Sequence, residues 1–249
     1  MRSLLKILPV LILLILLGLF LIPSKESGCN SMRIFQKRQF NIHLPYGYSV
    51  HGIDVSRYQL TIDWDEVAKA KEGKHQIRFA FMKATQGIQL TDTTFKRNWV
   101  ESKRAGIVRG AYHYFEPSKD ARQQANYFLS RVKLEKGDLP PMLDVEEQGK
   151  LSRKQLQEKV KIWLQTVEKS CGVKPILYCG PAFYRNILQK KFEEYPLWIA
   201  HYYRYQLSNE FKWRFWQHSD KGKVPGIKGH VDFNVFHGSK AGLDSMRIK

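Results

Sequence analysis

Apolar and polar positions follow two rhythms along this chain. Short apolar runs bounded by Gly, Pro or Asp predict strands at residues 50–56, 77–85, 110–115, 140–147 and 175–180. Between them, apolar residues at helical spacing predict helices at 64–71, 94–104, 119–132, 153–170 and 182–190. Asp63 can cap the first of these and Gly106 can close the second. The rhythm then changes, because 197–200, 213–218 and 231–236 are three strand-like runs with no helical pattern between them. Strands that alternate with helices predict a parallel sheet, and eight strands allow closure. The expected fold is α/β, a modified TIM-like barrel of the form (β/α)5β3 over residues 48–238.

Both ends of the chain lie outside that pattern. Residues 4–22 are almost wholly apolar, interrupted by Lys6, Pro9 and Gly18 and preceded by Arg2. At ~1.5 Å per residue such a segment can just cross a bilayer. The positive charge before it places the N-terminus in the cytoplasm and the rest of the chain outside. Residues 1–22 are therefore expected to be a signal anchor or signal peptide. Without an A-x-A-like site after Ile22, an uncleaved anchor ranks first, a lipoprotein linked through Cys29 second, and a secreted form third. Each route exports the barrel, to the periplasm or the cell exterior. Residues 23–47 read as a tether, and 239–249 as a loose basic tail.

Composition narrows the partners. The 249 residues are 43% hydrophobic and carry a formal charge of +18. Residues 1–50 hold six cations against Glu26 alone, so thirteen of those positive charges belong to the remainder. A basic folded part attracts polyanions such as nucleic acid, anionic membrane or an acidic cell-wall polymer. Export argues against nucleic acid. Cys171 and Cys179 are separated by a turn and a strand, which puts them too far apart to bridge, and no zinc spacing is present. No cofactor is expected, and the chain is read as a monomer.

The candidate chemistry sits in Leu143-Asp144-Val145-Glu146. Side chains in a strand alternate, so Asp144 and Glu146 would share one face, ~7 Å apart, at the mouth of the barrel. Asp54 on the first predicted strand and Asp232 on the eighth fall near strand ends too, and those strands are neighbours in a closed barrel. Like charges so placed push their pKa values apart and can keep one carboxyl protonated, as a general acid requires. Tyr112, Tyr114, Tyr178, Trp198, Tyr202 and Trp216 gather at the same ends. Ring faces mixed with acids suit a polysaccharide, although any one ring could equally be barrel core. Lys83 is a candidate cationic partner for the acids, and His113, His201 and His218 with Asp54 could be imagined as a metal site. No H-x-H or H-E-x-x-H spacing supports the metal.

Taken in order, Gly52-Ile53-Asp54-Val55-Ser56, Gly110-Ala111-Tyr112-His113-Tyr114, Leu143-Asp144-Val145-Glu146, Trp198-Ile199-Ala200, Trp216-Gln217 and Val231-Asp232-Phe233-Asn234 resemble the glycoside hydrolase family 25 lysozymes, the Chalaropsis type. The resemblance runs from about His51 to about His237. It implies a (β/α)5β3 barrel and N-acetylmuramidase activity on peptidoglycan, at the β-1,4 bond between N-acetylmuramic acid and N-acetylglucosamine. It further implies that Glu146 is the general acid/base and that Asp144 orients and stabilises the substrate's N-acetyl group. Asp54 and Asp232 are then flanking site acids. Lys83, Tyr112, Tyr114, Tyr178, Trp198 and Gln217 are the residues expected to line the substrate. The cell-wall-binding repeats of the family are missing, with the apolar segment and tether in their place. Two other classes remain open: a non-catalytic glycan-binding module, and a metal-dependent deacetylase or amidase.

Overall fold

The computed structural model describes residues 39–249 apart from Asn209. The apolar segment 4–22, Cys29 and the tether up to residue 38 lie outside the described residues. Among the described residues no helix is long and apolar enough to cross a membrane.

Ten strands form one sheet: β1 (His51–Val55), β2 (Lys71–Glu72), β3 (His75–Gln86), β4 (Leu90–Thr91), β5 (Val108–Tyr114), β6 (Met142–Asp144), β7 (Ile176–Cys179), β8 (Leu197–Ala200), β9 (Trp213–Gly222) and β10 (Val231–Phe236). Eight of them close a barrel in the order β1, β3, β5, β6, β7, β8, β9, β10, and β2 and β4 are short additions to β3. Helices follow the first five barrel strands: α1 (Trp64–Lys69), α2 (Phe95–Arg104), α3 (Ala121–Arg131), α4 (Arg153–Cys171) and the short α5 (Pro181–Phe183) with a wide turn over Tyr184–Leu188. β8 and β9 have no helix after them, which is the expected (β/α)5β3 arrangement.

Local chemistry starts and stops these helices. Asp63 accepts from the backbone N–H groups of Asp65 and Glu66, Asp120 accepts from Gln123, and Ser152 and Gln155 form a reciprocal capping box. Gly172, at φ 71°, ends α4 in the left-handed conformation that favours glycine. The buried face of α4 is Leu156, Val160, Trp163, Leu164 and Val167, at helical spacing, and it belongs to the same core as Ala121, Ala125 and Phe128 of α3.

One strand departs from a uniformly parallel barrel. β10 is antiparallel to both of its neighbours, with Asp54 opposite Asp232. Eight residues link β9 to β10, and a parallel crossover needs a dozen or more. The reversal matters for the chemistry. Asp232 is the second residue of its strand, so a parallel β10 would carry it to the far end of the barrel, away from Asp54.

The interior is filled by alternate residues. Phe79, Phe81, Trp198 and Phe215 interlock, with the Phe81 and Trp198 rings 4.8 Å apart and the Phe79 and Phe215 rings 5.4 Å apart. Two glycines make room for them: a Cβ on Gly52 would lie 2.4 Å from the Phe79 ring, and one on Gly110 would lie 2.3 Å from Phe81. Trp198 is 0% exposed and part of this plug, so it presents no face to a ligand. Its alternation correctly turned it inward but said nothing about its depth.

Two expected loose segments are packed. Residues 239–249 are not a tail, because Ser239 caps α6 (Lys240–Met246) and Leu243, 1% exposed, joins Val50, Leu139 and Phe236 in the interior cluster. Backbone bonds between Gly137 and Ile248 and between Ile248 and Asp138 pin its end. The last part of the tether, residues 39–47, forms with Tyr48 a strap over the bare outer face of the final strands. Phe40, 0% exposed, lies 5.0 Å from Phe233, and Tyr48 sits against Trp213 and Trp216. Strands without helices leave an apolar outer face, and the strap covers it. Phe40→Ala should therefore cost about 3 to 5 kcal/mol of stability, read from chemical denaturation; a loss below ~1 kcal/mol would mean that the strap is not part of the fold.

Candidate active site

The mouth at the C-terminal end of the parallel strands collects the polar ends of the inward positions. β1 contributes Asp54, β3 Lys83, β5 Tyr112 and Tyr114, β6 Asp144, β7 Tyr178, β9 Gln217 and β10 Asp232 and Asn234. Glu146 follows two residues after β6 and is open to solvent, whereas Asp144 is 7% exposed.

Asp54 is held by two amides. Gln217 Nε2 and Asn234 Nδ2 each donate to its Oδ2 at 2.8 Å. Gln217 is itself fixed, since the hydroxyls of Tyr178 and Tyr202 both donate to its Oε1 at 2.7 Å. Burial raises the Asp54 carboxyl, while the amide donors favour its charged form. Asp232 is raised by burial, by the Asp54 charge and by the hydrogen bond between the two acids. The two amide donors favour charge on Asp54, and burial beside that charge favours the protonated form of Asp232.

Asp144 is in the opposite condition. Its Oδ1 is buried with no hydrogen-bond partner. Burial, and then the Glu146 charge, push its carboxyl well above the ordinary range, with Lys83 opposing. Glu146, exposed at the rim, is raised too, first by the partial loss of solvent on its side facing the mouth and then by Asp54, again with Lys83 opposing. The aromatic plug beneath the mouth contributes to this, since apolar rings do not solvate a charge. Tyr112 stands among the acids, its hydroxyl raised by burial and then by Asp54, Asp144 and Asp232.

Lys83 does not pair directly with an acid. Its Nζ donates to Gln86 Oε1 at 2.7 Å and lies 4.7 Å from the centre of the Tyr114 ring. It acts on Asp144 and Glu146 through space. Such a cation lowers the cost of charge in the mouth without saturating either carboxylate.

The structure thus brings together Asp54, Lys83, Tyr112, Tyr114, Asp144, Glu146, Tyr178, Gln217 and Asp232, and sets Trp198 beneath them. Trp216 faces outward, fully buried, with Nε1 donating to the His201 carbonyl. Asn234 is a direct neighbour of the site beyond the expected site residues, and Tyr202, one of the rings expected at the strand ends, is a second neighbour. The alternation of Asp232 and Asn234 signals the first, since both fall on the inward face.

The imagined metal site does not assemble. His113 is turned outward, bonded to Thr85 Oγ1 at 2.7 Å and Gln124 Oε1 at 3.1 Å and stacked on Trp163. His218 is outward as well, beside Trp216 and Phe233. Among the described residues no group of three or more His, Cys, Asp or Glu side chains is placed to hold a metal ion. Cys171 and Cys179 are both free thiols.

Comparison with known proteins places this geometry. A family model described as glycosyl hydrolases family 25 matches residues 53–227. The uncharacterized protein YegX of Escherichia coli O157:H7 is 52% identical over 209 residues, covering 84% of this chain and 77% of that protein. Lysozyme M1 of Streptomyces globisporus is 31% identical over 210 residues, covering 78% of this chain and 70% of that protein. The solved structure of a family 25 glycosyl hydrolase from Bacillus anthracis superposes with a TM-score of 0.75 at 31% identity, over 82% of this chain and 96% of that one.

Proposed function

The chain belongs to glycosyl hydrolase family 25 and is a glycoside hydrolase, and from that premise we propose that it is a muramidase acting on peptidoglycan. It cuts the β-1,4 bond between N-acetylmuramic acid and N-acetylglucosamine. The observation that carries this reading is a division of labour between two neighbouring acids. Glu146 is raised and open to the mouth, while Asp144 is recessed with a bare, buried Oδ1.

Protonated Glu146 donates to the glycosidic oxygen as the bond from that oxygen to the anomeric carbon breaks. The carbonyl oxygen of the substrate's own 2-acetamido group attacks the anomeric carbon and closes a cyclic cation. As the substrate enters, Asp144 gives its proton to water and its carboxylate accepts the acetamido N–H at Oδ1. Its negative charge is costly in the empty mouth and becomes favourable as the cation forms, which is stabilisation concentrated in the transition state. Water then opens the ring, giving its proton to Glu146, so the first product keeps the β configuration. Substrate assistance is a recognised departure from the scheme of two catalytic carboxylates. Asp54, Asp232 and Tyr112 hold the wall of the mouth and set its charge.

The same reading puts the barrel outside the cytoplasm, where the polymer is, carried across the membrane by residues 4–22. All four acids come from one barrel, so a single copy suffices.

Digestion of purified peptidoglycan by the full chain, with and without a chelator, tests the class of reaction. Soluble glycan fragments at a rate unchanged by the chelator are expected, with a β-anomer in the first product by NMR. Acetate or free peptide released without glycan fragments would point to a deacetylase or amidase, and binding without release to a glycan-binding module. An inverted first product would remove the acetamido step.

A further inference from the structure

A second recess lies on the outer side of the barrel wall. It has a volume of about 530 Å³ and is walled by residues 42–46 of the strap, residues 203–206 of the loop after β8, and His218, Ser219 and Lys221 on β9. Nothing in the mouth chemistry uses it. Its rim carries Tyr46, 90% exposed, Tyr203 and Tyr205, 88% exposed. Large aromatics left in water at the edge of a recess mark a binding surface more often than isolated ones do. Tyr203 is held in position: its φ is 57°, unusual for a side chain of this size, its backbone N–H donates to the His218 carbonyl at 3.1 Å, and its hydroxyl donates to Asp220. His218 is 3% exposed, and its Nε2 is buried with no hydrogen-bond partner. Arg204 adds positive charge to the walls, as does Lys221, whose Nζ lies 3.3 Å from Asp220 Oδ2.

The loop after β8 connects this recess to the mouth. Tyr202 turns inward, its hydroxyl on the Gln217 that holds Asp54, and the next residue, Tyr203, turns outward to the recess. Consecutive tyrosines therefore stand on the two sides of the wall that separates the recess from the mouth.

We propose that this recess is a secondary carbohydrate subsite. It takes an N-acetylhexosamine bearing a carboxylate substituent, further along the strand that is cut in the mouth. Tyrosine faces suit the apolar face of the sugar, and Arg204, with Lys221 at 3.3 Å from Asp220 as a second cation, suits the carboxylate. The subsite rests on the muramidase reading for its connection to the mouth. Residues 42–46, which form one wall, lie outside the family match at residues 53–227.

The test is the double variant Tyr46→Ala/Tyr205→Ala in the full chain, both positions being exposed and away from the mouth. On intact glycan strands KM should rise about tenfold with kcat unchanged, the signature of lost uniform binding. On a peptidoglycan tetrasaccharide, short enough to fill the mouth alone, both constants should stay within about twofold. Calorimetric binding of strands to Glu146→Gln, with and without the two tyrosine changes, reads the subsite without turnover and should show the same tenfold loss. A polymer KM or strand affinity unchanged by the double variant would overturn the subsite. If the wild type releases no glycan while the calorimetric loss still appears, the muramidase reading fails and the subsite stands.

Discussion

Glu146→Gln is expected to lower kcat on peptidoglycan by about 10² to 10⁴-fold, the range a positioned proton donor contributes. The amide keeps the shape of the side chain and removes the proton. Glu146 is open to solvent and makes no hydrogen bond that holds the fold, so the melting temperature should be close to that of the wild type. KM should change little, because the interaction lost is one made in the transition state. The pH profile gives a second readout. A general acid works only while protonated, so wild-type activity should fall as pH rises through the Glu146 pKa. Burial and the Asp54 charge raise that pKa, which carries activity toward neutral pH. Glu147→Gln, next door and exposed, should stay within a few-fold of wild type and separate a specific loss from a general change in charge. Near-normal turnover by Glu146→Gln would remove Glu146 as the donor.

Asp144→Asn is expected to have two opposite effects. Activity should fall by about 10² to 10³-fold, the scale of removing one preorganised group that meets developing charge. Stability at neutral pH should rise. The folded-state pKa of Asp144 lies well above its unfolded value, so the folded protein binds a proton that the unfolded chain has already released. By linkage, the stability tied to that proton is fully present below the unfolded pKa, near 4, and is lost as pH rises through the folded pKa. Asn has nothing to titrate and escapes that loss. The gain should be about 1 to 3 kcal/mol at pH 7, roughly 2 to 10 °C in melting temperature, and should vanish near pH 4. The buried His51, His113 and His218, all lowered by burial, weaken both proteins alike in acid, so the difference isolates Asp144. A variant less stable than wild type at pH 7 would mean that the carboxylate is structurally satisfied, contrary to its bare Oδ1.

Much of this site can be read from the chain because strand parity is a local property. Asp144 with Glu146 and Tyr112 with Tyr114 each declare a shared face two residues apart, Asp54 marks the end of its own short run, and these runs are bounded by Gly, Pro or Asp. What parity omits is depth and direction. Trp198 and Gln217 both point inward, yet one plugs the barrel and the other reaches Asp54. The direction of β10 depends on the length of the link before it, and that alone decides whether Asp232 meets Asp54. The strap and α6 are silent for another reason. Each is anchored by very few apolar groups, Phe40 and Ile42 in one and Leu243 in the other, too few for a period to show. Asp144 and Asp232 also illustrate how much of a carboxyl's character comes from its neighbours: Asp54, facing Asp232, has two amide donors, and the bare oxygen of Asp144 has none.

The most direct measurement is the identity of the reducing-end sugar released from peptidoglycan. After digestion by the full chain, fragments are reduced with borohydride and their terminal alditol is identified by mass spectrometry. A muramidase whose donor is Glu146 leaves N-acetylmuramitol ends, and these should be absent from the Glu146→Gln digest. N-acetylglucosaminitol ends, or no new reducing ends from the wild type, would contradict it.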